Sequence, residues 1–415
     1  MSTLRQDALA ARLRALAARS PRAVTESLTA LVASRALVWA VGVTAFATYG
    51  TRDSRVPHLG EVANALAAPV SRWDSVHFQT IAAQGYVRED LAAFFPLYPL
   101  LAKVAGWLTG SLLLGGALVS IVAFLAGLYA VQRLAELELG PDVARRAVWL
   151  LAFFPASLFL SAFYTEALFL ALTAGAIYLA RTGRFAQACL LGAFASATRN
   201  TGVLVAVPIA LLYLYGPRGE ETPPTPGRSW RARIRPRFPV RADFLWLLVV
   251  PLGLVAFSLY QWVKFDDPLA TWHVQTFWSR GFHGPFSAIA YAIPETFEAA
   301  GELFTGSSDS FESPAAKLAL FGSLVLAVVA LVGVFRRLPI AYGAYVLVAL
   351  APPLSSPWPE HPLMSFPRFL AVLFPIHMWL AIHTADRRRF LAVLLAFAGM
   401  LGFLTAKFAT WGWAG

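Results

Sequence analysis

Residues 71–86 read SRWDSVHFQTIAAQGY, with an acid and a histidine set among aromatic and apolar side chains, and FFPLYPLL follows at 94–101. The first stretch is too polar to cross a bilayer and too apolar for an ordinary loop. Similar groups recur further on. Tyr164 and Glu166 lie in SAFYTE, and Arg199 with Asn200 in ATRNTG. His273, Gln275 and Arg280 occupy TWHVQTFWSRGF, and His361 with Arg368 lie in EHPLMSFPRF. Ionisable side chains at membrane depth are costly and face the protein interior or a water-filled cavity. The set therefore implies one acid-rich, arginine-containing, aromatic-lined cleft, with groups able to move protons and hold an anion.

Each member also has a purely structural reading. Asp74 can cap a helix that starts after Trp73, worth ~1 kcal/mol. Glu166 opens an apolar helix, where the helix dipole favours an acid. Arg199 can snorkel or pair with Glu166. His273, His361 and Arg368 also suit a membrane interface. Trp107, Trp262, Trp272, Trp278, Trp358, Trp411 and Trp413 read mostly as an aromatic belt. His77 and His273 fall in no HxxxH or HExxH spacing, and Asp266 with Asp267 in FDDP equally suits a helix end. No metal or other cofactor is expected.

These residues must be positioned by membrane helices. The 415-residue chain is 58% hydrophobic and 14% charged, with a mean hydropathy of +0.61. A water-soluble domain could not hide that much apolar surface. The net charge of +11 sits mostly between apolar blocks, so it reads as membrane topology rather than nucleic-acid binding. Cys189 is the single cysteine, which excludes an intrachain disulfide and a cysteine metal cluster. The first apolar run reads as a retained anchor, since no convincing cleavage site follows TAFATYG.

Apolar runs at roughly 30–49, 111–131, 148–163, 166–181, 185–199, 202–216, 243–263, 315–335, 339–354, 368–384 and 390–410 give about eleven crossings. Residues 1–28 form a basic arm, and residues 29–415 a single integral-membrane domain. With eleven crossings the clusters at Arg133, Arg145 and Arg146, Arg181 and Arg184, Arg336 and Arg337, and Arg387 to Arg389 share one face with the arm. The proline-rich loop 217–241, with seven arginines against two glutamates, joins them. That face is the cytoplasm. The other face receives 50–110 and 264–314, and the cleft with them. Ile289, Ile293, Phe297 and Phe304 recur at helical spacing, as in an interfacial helix. In the first outer segment Phe78 and Ile81 share a helical face, and FFPLYPLLAKVAGWL is too short to span.

In order, RWDSVHFQTIAAQGY, FFPLYPLL, FFPASLFLSAFYTEALF and ATRNTGVL resemble the GPI mannosyltransferase II (PIG-V-like) family of GT-C class membrane glycosyltransferases, in a bacterial form. The likeness weakens through FWSRGF to SFPRFL. Phe154 stands where the family has asparagine, and Thr165 where it often has serine. The resemblance implies an inverting transfer of a sugar, usually mannose, from a polyprenyl-phosphate carrier outside the membrane. The acceptor is a glycan, lipid or protein hydroxyl. On this reading Asp74 is the general base, and Arg199, Arg368 and Arg280 bind the donor phosphate. Trp73, His77, Tyr164, Glu166, Asn200, His273 and His361 bind substrate. A membrane transporter or lipid-linked sugar flippase is the main rival. It requires ionisable groups near mid-bilayer and repeated halves, whereas these gather at one edge.

Overall fold

The computed structural model describes residues 2–50, 61–219, 236–305 and 312–414. Most of the basic loop expected at 217–241 lies outside the described residues, as do 51–60 and 306–311 of the expected outer segments. The expected N-terminal arm and the first span form one helix, α1 (Ser2–Tyr49), followed by α2 (Glu61–Ala67) and α3 (Ser75–Gln84). Next come α4 (Leu97–Thr109), α5 (Leu112–Leu139), α6 (Pro141–Ala152) and α7 (Glu166–Arg181). They lead to α8 (Phe185–Ser196), α9 (Ala206–Tyr215), α10 (Leu252–Phe265), α11 (Ala270–His273) and α12 (Ser287–Thr305). The chain ends in α13 (Pro314–Arg337), α14 (Ile340–Ser355), α15 (Phe366–Val372), α16 (Phe374–His383) and α17 (Arg387–Ala409).

This is an all-α polytopic membrane architecture, and length and composition do not confirm the count of eleven crossings. Among the described residues, five helices are long and apolar enough to span: Pro21–Tyr49, Leu112–Leu139, Ala242–Phe265, Pro314–Arg337 and Arg387–Ala409. α15 and α16 add a sixth if taken as one span, although they meet at a bend of 79°. The run expected to cross at 148–163 is not a span. Pro155 drives Phe154 into an extended conformation (φ −52°, ψ 139°), and a 3₁₀ turn, Pro155–Leu160, replaces the helix. Every residue from Leu150 to Leu170 is buried. A hydropathy window cannot separate such protein-facing segments from lipid-facing ones. α8, α9 and α14 are likewise short for a straight crossing, which takes ~20 residues.

α5 is the centre of the packing, touching α1, α4, α6 and α7. Small residues allow its closest contacts. A Cβ at Gly115 would strike the backbone of Gly106 in α4, and one at Gly116 would strike the Phe163 ring. The Gly110 left-handed turn (φ 72°) and the Ser111 cap, accepting from Leu114 N, reverse the chain between α4 and α5.

The irregular 152–165 segment needs its backbone groups satisfied inside the protein, because lipid offers no partners. Arg35, buried in the first apolar span, donates to the carbonyls of Ala152 (3.1 Å) and Ser157 (2.7 Å). It also donates to Ser157 Oγ (2.9 Å) and Ser161 Oγ (2.8 Å), and its guanidinium stands over Phe124 at 5.0 Å. Ser120 Oγ donates to Ala162 O, and Phe163 N to Val70 O, both at 2.7 Å. Arg35→Met is expected to lower the thermal midpoint of the detergent-solubilised protein, costing about 3 kcal/mol or more, because two buried carbonyls and two serine hydroxyls lose a donor. Fluorescence-detected thermal unfolding measures this. A midpoint equal to that of the unsubstituted protein would refute the assignment.

Candidate active site

Asp74 stands where a helix cap would stand, at the start of α3, but its side chain makes no cap hydrogen bond. Instead Oδ2 accepts from Arg368 Nη1 at 2.9 Å, across nearly three hundred residues of sequence. The capping reading of Asp74 is thereby set aside. The same guanidinium donates through Nε (3.1 Å) and Nη2 (2.8 Å) to Glu166 Oε1, which also accepts from Arg199 Nη1 at 3.0 Å. Arg199 thus pairs with Glu166 rather than snorkelling. Arg368 lies 4.8 Å from the ring centres of both Phe159 and Tyr164, so its faces and its edge are all occupied.

Two layers can be told apart by exposure. The Asp74 side chain keeps 27% of its surface accessible, whereas Glu166 keeps 0%. Tyr164 is buried behind Asp74, where its hydroxyl accepts from Asp74 N and donates to Arg72 O, each at 3.1 Å. Expected as substrate ligands, Tyr164 and Glu166 prove to be buried and line neither of the two cavities beside Asp74. They hold the groups that do.

Two cavities meet at these groups. One, of about 560 Å³, is bounded by Phe78, Thr198, Asn200, Trp272, Phe282 and Pro352 among others. The second, of about 730 Å³, is bounded by Trp73, His77, Thr80, Arg88, Trp278, Trp358, Trp411 and Trp413. Asp74, Arg199, Arg280 and Arg368 line both. Arg280 is half-buried; its side chain donates to Met364 O at 3.4 Å and pairs with no carboxylate among the described residues. Burial first, and then neighbouring Arg368, pushes its pKa down, yet a guanidinium stays charged. Three arginines thus face two carboxylates, leaving an unmatched positive charge.

His77 stacks on Phe94 at 4.9 Å and meets Trp278 edge-on at 5.4 Å. Burial lowers its pKa against the opposing pull of Asp74 and Asp90, which favours the neutral imidazole. Asn200 borders the smaller cavity, with Oδ1 accepting from Thr201 N at 2.7 Å. His273 and His361, expected as substrate ligands, line neither cavity. His273 turns to Asp267 (2.7 Å), and His361 packs edge-on against Trp358 at 4.6 Å. His361 also meets Glu312 at 3.6 Å. With Glu295 these two place potential metal-ligand atoms within 4.8 Å of one another. Lys317 already reaches Glu295 at 3.5 Å, and burial pushes the Glu312 carboxyl up to about 7. Asp266 ends α10 in a left-handed conformation (φ 57°), and Asp267 caps Leu269 N at 2.9 Å. These two fill the helix-end role that the sequence left open.

The belt reading missed four tryptophans of the larger cavity. Arg72 was missed as well; it donates to Ala409 O at 3.0 Å and stands over Trp411 at 5.4 Å. Trp73 Nε1 donates to Gly412 O at 3.3 Å. The RWD triplet therefore fastens the C-terminal turn with its first two residues and presents Asp74 with its third. Arg368→Ala should destabilise the protein by about 3–5 kcal/mol, because two carboxylates lose their shared cation. Adding Glu166→Gln should recover at least 1 kcal/mol of that in a double-mutant cycle of thermal unfolding. Strict additivity would mean that the pair is not coupled.

Residues 20–215, just under half of the chain, match the family model described as Mannosyltransferase (PIG-V). The GPI alpha-1,6-mannosyltransferase 2 of Homo sapiens is 34% identical over 155 residues, covering 35% of this chain and 31% of its own. That of Rattus norvegicus is 37% identical over 156 residues, covering 35% and 32%. The GPI mannosyltransferase 2 of Cryptococcus neoformans is 32% identical over 162 residues, covering 36% and 38%. The match thus spans about a third of the length of these curated relatives. Among solved structures, the Archaeoglobus fulgidus oligosaccharyltransferase tethered with an acceptor peptide aligns at a TM-score of 0.47 and 12% identity, over 94% of this chain and 55% of that one. Residues 20–215, which include Asp74, Glu166 and Arg199 as well as the four ordered motifs, are thus similar to the PIG-V mannosyltransferase family.

Proposed function

We propose that this chain is an inverting glycosyltransferase that moves a sugar, mannose on the family resemblance, from a polyprenyl-phosphate carrier to an acceptor hydroxyl at the extracytoplasmic face. The observation that carries the reading is the shared wall of the two cavities, where Asp74 lies beside three arginines that outnumber their carboxylate partners. A polyprenyl-phosphate sugar is a phosphodiester with a single negative charge, which matches the unmatched positive charge. When the bond between the anomeric carbon and the phosphate oxygen breaks, its electron pair leaves with the lipid phosphate. The phosphate then carries a second negative charge, which Arg280, Arg199 and Arg368 stabilise more strongly in the transition state than in the ground state.

The acceptor oxygen forms its bond to the anomeric carbon from the opposite side, and its proton passes to the Asp74 carboxylate. Oδ2 already accepts one hydrogen bond, and a carboxylate has further lone pairs for the proton. Asp74 also balances positive charge developing on the sugar. Glu166 acts at one remove, orienting Arg199 and Arg368.

In reconstituted membranes given labelled polyprenyl-phosphomannose, Asp74→Asn is expected to cut turnover by about 10²–10⁴ at equal protein level. Unchanged transfer would remove Asp74 from the reaction. Arg280→Ala is expected to lower kcat/KM for the donor by about 10–100-fold, read from initial rates across donor concentrations. The product anomer, assigned by NMR, should be inverted relative to the donor; retention would rule out a single displacement. If deletion of the gene changes only uptake of a solute and no glycan, the transporter reading replaces this one.

A further inference from the structure

The two cavities share Asp74, Arg199, Gln275, Arg280 and Arg368, and differ in their rims and in the tryptophans of the larger one. The mouth of the smaller one carries Trp272 and Phe282, which are 43% and 73% exposed. An apolar rim of this kind in a membrane protein meets acyl chains rather than water. At the rim of the larger cavity Arg88 is 59% exposed and holds Asp90 at 2.9 Å, a pair that belongs in water.

Inside, the larger cavity is walled by indoles. Trp73 lies 5.1 Å from Trp413 and 5.9 Å from Trp411, ring centre to ring centre. Trp278 and Trp358 face the same space, and Thr80 and Ser365 add hydrogen-bonding groups to the Gln275 that both cavities share. Aromatic walls with a few polar groups, in a volume of about 730 Å³, are the usual make-up of a ligand pocket. An indole face is electron-rich, so it attracts the polarised C–H face of a pyranose, while the sugar hydroxyls reach the polar groups at its edge. Trp411 and Trp413 lie beyond residues 20–215, in a part of the chain the family match does not cover.

We infer that the tryptophan-walled cavity is the acceptor subsite and binds a saccharide, with the C-terminal Trp411–Trp413 segment as one wall, while the isoprenoid phosphate enters through the smaller cavity. The inference rests on the glycosyl-transfer reading and deepens it. In this arrangement the acceptor hydroxyl reaches Asp74 from the watery side, and the donor phosphate reaches the same wall from the lipid side.

The test uses the full chain in nanodiscs, with α-mannobiose as the saccharide probe and farnesyl phosphate as the carrier probe. Binding is read by saturation-transfer NMR and tryptophan fluorescence. Trp413→Ala and Trp358→Ala are expected to weaken mannobiose binding at least tenfold and to change farnesyl phosphate binding less than twofold. Phe282→Ala and Trp272→Ala are expected to show the reverse pattern. Trp413→Phe keeps an aromatic face, so it should retain most mannobiose binding even if the alanine variant fails to fold. Equal losses for both probes in Trp413→Ala, or loss of farnesyl phosphate alone, would overturn the assignment. A wild-type chain that binds farnesyl phosphate but not mannobiose overturns this subsite only. One that binds neither overturns the glycosyl-transfer reading beneath it.

Discussion

The site depends on a single guanidinium held between two acids. Arg368 is buried, and so is Glu166, with Asp74 only partly open. Charges taken out of water are tolerated only when paired and hydrogen-bonded on nearly every side. The fork of Arg368 meets this by giving N–H groups to both acids, while Arg199 supplies a second cation to Glu166. Each participant comes from the end of a different element: the starts of α3 and α7, the turn after α8, and the short α15. Ends cannot converge in this way if every helix crosses the bilayer in full. The short, broken and bent segments therefore follow from the charge cluster as much as from sequence propensity.

Backbone strain gathers at the same place. Six non-glycine residues among those described have positive φ, and four of them adjoin the site: Trp73 (56°), Ser279 (53°), Ser365 (65°) and Trp411 (65°). Trp73 immediately precedes Asp74, Ser279 precedes Arg280, and Ser365 leads into the helix of Arg368. A left-handed conformation costs such residues about 1–2 kcal/mol, so the surroundings must over-determine it. They do so through named contacts. Arg72 and Trp73 bond the carbonyls of Ala409 and Gly412, and Gly412 N closes back on Lys407 O at 2.6 Å. The C-terminal turn is thus a brace for the Asp74 loop, and Asp74 inherits its orientation from residues more than three hundred positions away.

Part of this was legible in the chain alone. Asp74, Glu166, Arg199, Arg280 and Arg368 stood out because ionisable side chains at membrane depth are expensive, and the structure brings them together. Sequence could not say which acid faces the cavity. Asp74 and Glu166 each open a helix, and only packing shows that one lines a cavity while the other is sealed behind it. The tryptophans were misplaced for a related reason. A belt and a binding wall use the same residue type, and the difference appears only when Trp73, Trp278, Trp358 and the C-terminal pair are folded against one space. Arg35 escaped notice because a lone arginine in an apolar run carries no spacing signal. Its partners are two carbonyls and the hydroxyls of serines, most of them far away in sequence, a pairing that sequence does not display.

The buried layer explains how one wall can serve two cavities. Asp74, Arg199, Arg280 and Arg368 border both spaces, so none of them can be fixed by a ligand in one cavity without being felt in the other. Their positions have to be set from behind, by groups no ligand touches. Tyr164 holds the backbone of Asp74, and Glu166 holds two of the arginines. Tyr164 sits in the segment that Pro155 diverts from helical geometry and that Arg35 keeps satisfied, and Glu166 opens α7 directly after it. A regular span through 148–163 would have left Tyr164 and Glu166 without this placement. The broken helix is therefore the means by which a membrane bundle builds a rigid, charged partition between two cavities.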